Sequence, residues 1–277
     1  MWHVLRLRHN IHVPRQLVES LLREVDPCGV DLRKRKCLHW RTYVSPGANF
    51  CWHLDGYDKL KPFGFSIHGC VDGFSWRILW WEVQRSNKNL WPMARYFLDN
   101  AKAAHGCPAR VYTDGGTENG LIAAMQCYLY AEGVDEYVGS RAHKYITSVR
   151  NQRIEGYWSH YRKEWASWWI VFNDLHESDI LDLISQIHRE ALWYSFADVL
   201  QDDLDKVKDG WNSHCIRKSK HVTVSGVPDM MYFLPEEFGR IDCLCPVSGK
   251  VQVCHTPPLF WRQEIYFRNL SSLQKVE

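Results

Sequence analysis

The chain has 277 residues, 45% of them hydrophobic, and a formal net charge of +2. This composition excludes an intrinsically disordered chain, allows one large domain with appendages or two small domains, and is too nearly neutral to identify a partner. No apolar run approaches the ~18 residues that a membrane span needs, so we expect no membrane partner.

The first 47 residues (1–47) predict a basic helical arm. Residues 14–25 place their aliphatic side chains on one helical face, and Pro14 suits a first helical turn. The DPCG stretch is expected to break that helix, and the basic run LRKRK (32–36) follows it. The arm fits a remnant helix-turn-helix, a nuclear-import signal or a solvated extension.

Residues 48–235 predict an α/β layer with a mixed sheet. Three strand-like runs are separated by the turn-forming stretches KPFG and DGFS, and such short connections favour antiparallel pairing. The patterns predict strands over 50–57, 63–74, 76–84, 109–114 and 136–140, and helices over 90–101, 121–129 and from 151 onward. Residues 236–277 predict a tail in which VQVCH and EIYFRN are candidate strands.

The ten cysteines show no disulfide framework, and we expect free thiols. A zinc cluster is one interpretation of the C-terminal group, which consists of Cys243, Cys245, Cys254 and His255. The C-x-C and C-H spacings are tighter than the two to four intervening residues usual for tetrahedral zinc, so ordinary packing is favoured.

Three carboxylates in unlike settings give the main chemical signal. Asp55 lies in the strand-like run WHLDGYDKL, where aspartate is disfavoured and a bound cation is a natural partner. Asp114 ends a strand in RVYTDGGTEN, a position that suits a ligand, a turn or a helix cap. Glu155 lies early in a long helix, in NQRIEGYW. Carboxylates brought together in this way can hold two divalent metal ions on a phosphodiester.

On that long helix, Glu155 lies beside an apolar stripe. At about 100° per residue, Asn151, Ser159 and Arg162 fall within about 40° of Glu155. The stripe consists of Ile154, Trp158, Tyr161, Trp165, Trp168, Trp169 and Phe172. The helix is therefore expected to dock on the sheet with Glu155 at the rim, and the alternative is an exposed glutamate in a surface row with Arg162. Asp58 and Asp72 are weaker candidates and are expected to be turn residues.

Basic residues flank these carboxylates. Residues 1–50 carry nine Lys/Arg against four Asp/Glu, and residues 141–170 carry six against two. A polyanion-binding groove needs such an excess, and a solubilising surface is the alternative.

With these stretches in this order, the sequence resembles the catalytic core of integrases and integrase-related transposases. The resemblance rests on WHLDGYDKL, GCVDGFS, RVYTDGGTEN and NQRIEGYW, and covers roughly residues 48–235. It includes the segment 211–232, where a Trp-Asn pair and a basic residue precede a last short helix. It implies a ribonuclease H-like fold, with a mixed five-stranded sheet flanked by helices, and is nearest to the mobile-element-derived integrase-core proteins of animal genomes.

The resemblance also implies roles by position. Asp55 and Asp114 match the two catalytic aspartates and Glu155 matches the glutamate, with two Mg²⁺ or Mn²⁺ ions as cofactors. The implied partner is DNA, the implied working form is a homo-oligomer, and the substrate together with the basic run indicates a nuclear protein. The residues expected to position DNA are Lys144, Arg150, Asn151, Arg153 and Arg162.

Two departures accompany the resemblance. Gly115 follows the second aspartate, where many retroviral relatives have asparagine, and Trp76 stands where relatives often have a basic residue. Two other functions stay open. One is a domesticated DNA-binding host protein without catalysis, and the other is a ribonuclease H-type nuclease with Glu118 or Asp58 as a fourth carboxylate.

Overall fold

The computed structural model describes residues 2–35, 45–116, 119–218 and 224–247. The chain divides into two compact units, Met1–Tyr43 and Val44–Glu277. Within the described ranges, no helix combines the length and the apolar character that a membrane crossing requires.

The described part of the first unit is helical. Its elements are α1 (Trp2–Arg8), α2 (Arg15–Val25) and α3 (Pro27–Arg35). The helix predicted over 14–25 is confirmed, and Val18 is its buried residue. The predicted break is limited to Asp26, because its Oδ1 accepts the Gly29 N–H at 2.8 Å and Pro27 opens α3. Most of the basic run lies within α3, and its side chains fall outside the described residues.

The second unit contains the sheet and its covering helices. Its strands are β1 (Gly47–Ala48), β2 (Cys51–Tyr57), β3 (Ser66–Asp72), β4 (Ile78–Gln84), β5 (Gly106–Cys107), β6 (Arg110–Thr113), β7 (His143–Tyr145), β8 (Ile241–Asp242) and β9 (Cys245–Pro246). Its helices are α4 (Leu90–Ala103), α5 (Gly120–Leu129), α6 (Gln152–Glu177), α7 (Gln186–Ser213) and α8 (Pro228–Phe233).

Five strands form the central sheet in the order β4-β3-β2-β6-β7. The neighbours β2, β3 and β4 are antiparallel, as their short connections predict, whereas β6 and β7 are parallel to β2 and are reached through α4 and α5. The predicted mixed five-stranded sheet flanked by helices is confirmed. The fifth strand of this sheet, β7, begins later in the chain than predicted.

The strand predicted over 136–140 is wrong. The structure places a 3-10 turn at Gly139–Ala142 and the strand β7 directly after it. Gly139 has φ of 65°, in the left-handed region that glycine adopts readily, and this conformation cannot continue a strand.

Apolar layers cover both faces of the sheet. Alternation along β2 turns Trp52 and Leu54 toward α4 and α5, and turns His53, Asp55 and Tyr57 toward α6. Asp55 therefore lies on the face that α6 and α7 cover.

The first part of the C-terminal tail joins the second unit. β8 pairs with β1, and β9 pairs with β5. The candidate strands VQVCH and EIYFRN lie outside the described residues.

Candidate functional site

Asp55 lies on β2 opposite Gly69 of β3. A Cβ atom at Gly69 would lie 2.4 Å from Cδ1 of Trp81 and 3.1 Å from Cη2 of Trp158, so the glycine makes room for two stacked indoles on the sheet. Trp158 consequently reaches Asp55, and its Nε1 donates to Oδ2 at 2.9 Å.

Glu155 lies in the first turn of α6 and is half-buried. The fully or nearly buried members of the predicted stripe are Ile154, Trp158, Tyr161 and Phe172. This burial confirms that α6 docks through the stripe with Glu155 at its rim. Trp169 is 45% exposed, and the side chain of Trp165 lies outside the described residues.

Asp114 directly follows β6 and forms the predicted turn. Its Oδ1 accepts from Asn119 Nδ2 at 2.7 Å and from the Gly116 N–H at 3.4 Å. Because Asn119 directly precedes α5, these bonds join the end of β6 to the start of that helix. Glu118 falls between them and outside the described residues.

The three carboxylates interact electrostatically. Burial raises the pKa of Asp55 to about 7, the Trp158 hydrogen bond opposes this shift, and the negative charges of Glu155 and Asp114 add to it. Burial also raises the pKa of Glu155. The site therefore concentrates negative charge that the surrounding protein only partly stabilises.

A cleft of about 380 Å³ opens beside two of these carboxylates. Its lining residues are Asp55, Gly56, Tyr57, Asp58, Lys59, Glu155, Trp158 and Ser159. In the described part of the chain, no three His, Cys, Asp or Glu side chains are grouped closely enough to hold a metal ion. The structure thus brings Asp55 and Glu155 to one cleft, with Asp114 within electrostatic reach of Asp55.

The donor chemistry of the site suits a hard divalent cation. Mg²⁺ and Mn²⁺ prefer carboxylate oxygens, and Asp55, Glu155 and Asp114 offer only such oxygens. A cation beside Asp55 would offset the like-charge repulsion that contributes to its raised pKa. The oxygen donors of these three residues are therefore of the type that such an ion prefers.

The residues expected to position DNA differ in their surroundings. Lys144 on β7 and Arg150, at the end of the turn before α6, are both exposed and can meet a phosphate. Arg162 lies on α6, and its side chain falls outside the described residues.

Asn151 and Arg153 occupy the interior instead. Asn151 is 0% exposed, and its side chain bonds to His53 and to the Leu54 carbonyl. Arg153 is 5% exposed, and its guanidinium lies 3.8 Å from the centre of the Trp76 ring. These positions do not suit the predicted DNA contacts, because neither side chain presents a surface to a ligand.

The two weaker candidates, Asp72 and Asp58, form hydrogen bonds with nearby residues of the protein. Asp72 is fully buried and accepts hydrogen bonds from the turn residues Phe74 and Ser75, as expected of a turn residue. Asp58 is exposed and accepts from Lys61 at 3.1 Å and from Asn87 at 2.7 Å.

The predicted cysteine cluster is described only in part. Cys243 and Cys245 are partly buried, and their proposed co-ligands Cys254 and His255 lie outside the described residues.

Sequence reasoning misses two partners of the carboxylates. The first partner is Trp158, which the sequence pattern assigns to the apolar stripe and to no polar contact. Its position three residues after Glu155 could have indicated that the two side chains are neighbours on the helix surface. The second partner is Asn119, the last residue of the RVYTDGGTEN stretch. An amide side chain so close in sequence to a strand-ending aspartate is the signal that could have indicated a hydrogen bond to Asp114.

This chain is similar to integrases in sequence and in structure. The family model for the integrase core domain matches residues 42–232. A chain in the cryo-EM structure of the simian T-cell lymphotropic virus intasome with PP2A regulatory subunit B56 gamma is 13% identical, with a TM-score of 0.35; the match covers 70% of this chain and 58% of that one.

Two structures of the HTLV-2 integrase catalytic core domain in complex with magnesium are also similar. The dimeric form is 16% identical, with a TM-score of 0.33, and the match covers 69% of this chain and 100% of that one. The trimeric form gives 16% identity and a TM-score of 0.33, covering 68% and 99% respectively. No curated protein sequence matches the chain.

Proposed function

Because the chain belongs to the integrase core domain family and has that family's ribonuclease H-like fold, we propose that it cuts and joins DNA strands by metal-dependent polynucleotidyl transfer. One observation carries the proposal. Asp55 from the middle of the sheet and Glu155 from α6 line one cleft, and the charge of Asp114 reaches Asp55.

In this proposal Asp55, Asp114 and Glu155 would hold two Mg²⁺ or Mn²⁺ ions. When bound, such ions would supply Lewis-acid activation of a water or a DNA 3′-hydroxyl for in-line attack and charge stabilisation of the leaving oxygen. Trp158 keeps the Asp55 carboxylate in place through its hydrogen bond to Oδ2. Lys144 and Arg150 hold the DNA backbone through its phosphates, which positions the scissile bond without specifying a sequence.

The two alternatives make different demands on the same site. A ribonuclease H-type nuclease generally uses a fourth carboxylate, and the described candidate Asp58 is already bonded to Lys61 and Asn87. A DNA-binding protein without catalysis would not need Asp55 and Glu155 in one cleft. Strand transfer on DNA is therefore the function we favour.

The test is strand nicking and strand transfer on labelled duplex DNA with Mn²⁺ or Mg²⁺. We expect Asp55→Asn and Glu155→Gln each to reduce nicking to background, because each removes a charged metal-binding oxygen. Asp55→Asn should bind DNA as well as the wild type or better, since it removes a negative charge facing the phosphates.

The matched control is Glu177→Gln, the same substitution at the other end of α6, where Glu177 bonds only to Asn173 among the contacts described. It should nick DNA at the wild-type rate. Equal nicking by the wild type and Asp55→Asn would contradict the assignment. A folded wild type that binds DNA and nicks nothing would favour the non-catalytic alternative.

A further inference from the structure

A buried hydrogen-bonded pair connects the strand that carries Asp55 to the helix that carries Glu155. Nδ1 of His53 lies 2.7 Å from Oδ1 of Asn151, and Nδ2 of Asn151 donates to the Leu54 carbonyl at 3.0 Å. Both His53 and Asn151 are 0% exposed. We call these two side chains the His53–Asn151 pair.

The partners fix the direction of these bonds. The Leu54 carbonyl can only accept, so it must face the NH₂ group of Asn151, and Oδ1 of Asn151 faces His53. Nδ1 of His53 therefore carries a hydrogen and donates it. The Tyr112 ring packs against the His53 ring in a T-shaped arrangement, with centroids 5.1 Å apart and 79° between the ring planes.

The pair lies at the junction of the two carboxylate-bearing elements. Asn151 is the residue immediately before α6, and its backbone carbonyl accepts the Glu155 N–H at 3.1 Å. On β2, His53 and Leu54 are the two residues that precede Asp55. One amide thus holds the first turn of α6 against the very segment of β2 that presents Asp55.

From this geometry we propose that the His53–Asn151 pair is a positioning device that sets the separation of the Asp55 and Glu155 carboxylates. The proposal rests on the proposed function and adds residues to it. It also replaces a DNA contact by Asn151 with a role inside the protein. Supporting bonds of this kind matter because metal ligands and reacting groups tolerate little displacement.

The experiment compares two nearly isosteric substitutions at one position. His53→Asn retains an N–H close to the place of Nδ1, whereas His53→Leu removes it with almost the same volume. We expect His53→Leu and Asn151→Leu to lower kcat for nicking roughly 10- to 100-fold, the usual cost of losing a supporting bond at a metal site, with the Kd for DNA unchanged. His53→Asn should recover most of the rate.

A second readout does not depend on activity. Isothermal titration of Mn²⁺ into the metal-free 277-residue chain should show weaker binding in His53→Leu and Asn151→Leu and recovered binding in His53→Asn. Asn173→Leu is the matched control, because Asn173 lies on the same helix and bonds only to Glu177 among its described contacts. It should behave as the wild type in both assays.

The outcomes separate the two proposals. A raised Kd for DNA with unchanged kcat and Mn²⁺ affinity in Asn151→Leu would overturn the positioning role in favour of direct DNA contact. Equal behaviour of His53→Asn and His53→Leu would overturn it as well. A wild type that neither nicks DNA nor binds Mn²⁺ would overturn the proposed function, and the positioning role with it. Where Asn151→Leu does not fold, Asn151→Ser, which admits water, takes its place.

Discussion

At the scale of single residues, the cost of ionising Asp55 is the feature that most needs an explanation. Its strand is buried on both sides, and two further carboxylates lie within electrostatic range. A protein under selection for stability alone would replace such a residue, because an unpaired buried charge is costly. The position is understandable if a cation completes it.

This cost predicts a pH dependence of stability in the metal-free protein. Since the folded pKa of about 7 exceeds the ordinary value of 3.8, the folded state holds a proton that the unfolded state has released. The free energy of unfolding should therefore fall as pH rises between these values and level off above the higher one.

Asp55→Asn should remove the part of that fall that Asp55 causes, whereas Glu155, whose pKa burial also raises, should keep its own part. Above neutral pH, we expect the variant to be more stable than the metal-free wild type by at most about 4 kcal/mol, at about 1.4 kcal/mol per pKa unit, and by less because partial exposure screens the charge. Below the ordinary pKa the two should agree. Urea unfolding with EDTA across the pH range measures this, and parallel curves for both proteins would contradict it.

At the scale of elements, side chains of α7 satisfy the backbone groups of β4 that a sixth strand would otherwise pair with. β4 is an edge strand, and its outward backbone groups are bonded by two amide side chains of α7. Gln201 accepts the Val83 N–H at 2.8 Å and donates to the Trp81 carbonyl at 2.9 Å. Asn212, from the Trp-Asn pair noted in the sequence, accepts the Ile78 N–H at 2.8 Å and donates to its carbonyl at 3.0 Å. These bonds protect the edge from pairing with another chain.

The double substitution Gln201→Leu with Asn212→Leu should destabilise the protein and promote self-association. Each substitution leaves one backbone N–H and one C=O unsatisfied at about 1–3 kcal/mol per group, so the four groups together set a range of roughly 4–12 kcal/mol, and water that reaches the edge moves the loss toward its lower end. Denaturant unfolding and light scattering measure the two effects. Gln186→Leu, at the exposed start of α7, is the control and should change neither. Wild-type stability in the double variant would show that the amides contribute little.

At the scale of the whole molecule, charge distribution matters more than net charge. The chain carries only +2 overall, yet residues 141–170 hold six basic and two acidic residues next to the candidate site. Binding to phosphates releases counterions, so affinity for DNA should fall steeply with salt.

Lys144→Ala with Arg150→Ala should weaken binding to all DNA sequences alike and reduce the slope of log Kd against log salt by about 2, one for each phosphate that the variant no longer binds. Fluorescence anisotropy over a salt series measures the slope. The control pair is Arg95→Ala with Lys102→Ala, exposed on α4 on the opposite face of the sheet, and should leave the slope unchanged. An unchanged slope in the Lys144 and Arg150 variant would place the DNA elsewhere.

What the sequence determined by itself is the order of elements and the types of residue at the site. Periodicity is local, so the run of β2 and the apolar stripe of α6 could be predicted from neighbouring residues, and Asp55 was conspicuous because aspartate is rare within a strand. Within the five-stranded central sheet, β7 is the strand whose predicted position is wrong, because Gly139 takes a left-handed conformation that the hydrophobic pattern does not reveal.

Only the tertiary structure decided which way the polar side chains face. Asn151 and Ser159 share a helical ridge with Glu155 in sequence terms, yet Asn151 is buried against β2 and Ser159 is exposed. The difference arises because Asn151 precedes the first turn, where the chain turns toward the sheet, and meets His53 from 98 residues away. Pairings between such distant residues are set by packing, which no local pattern encodes.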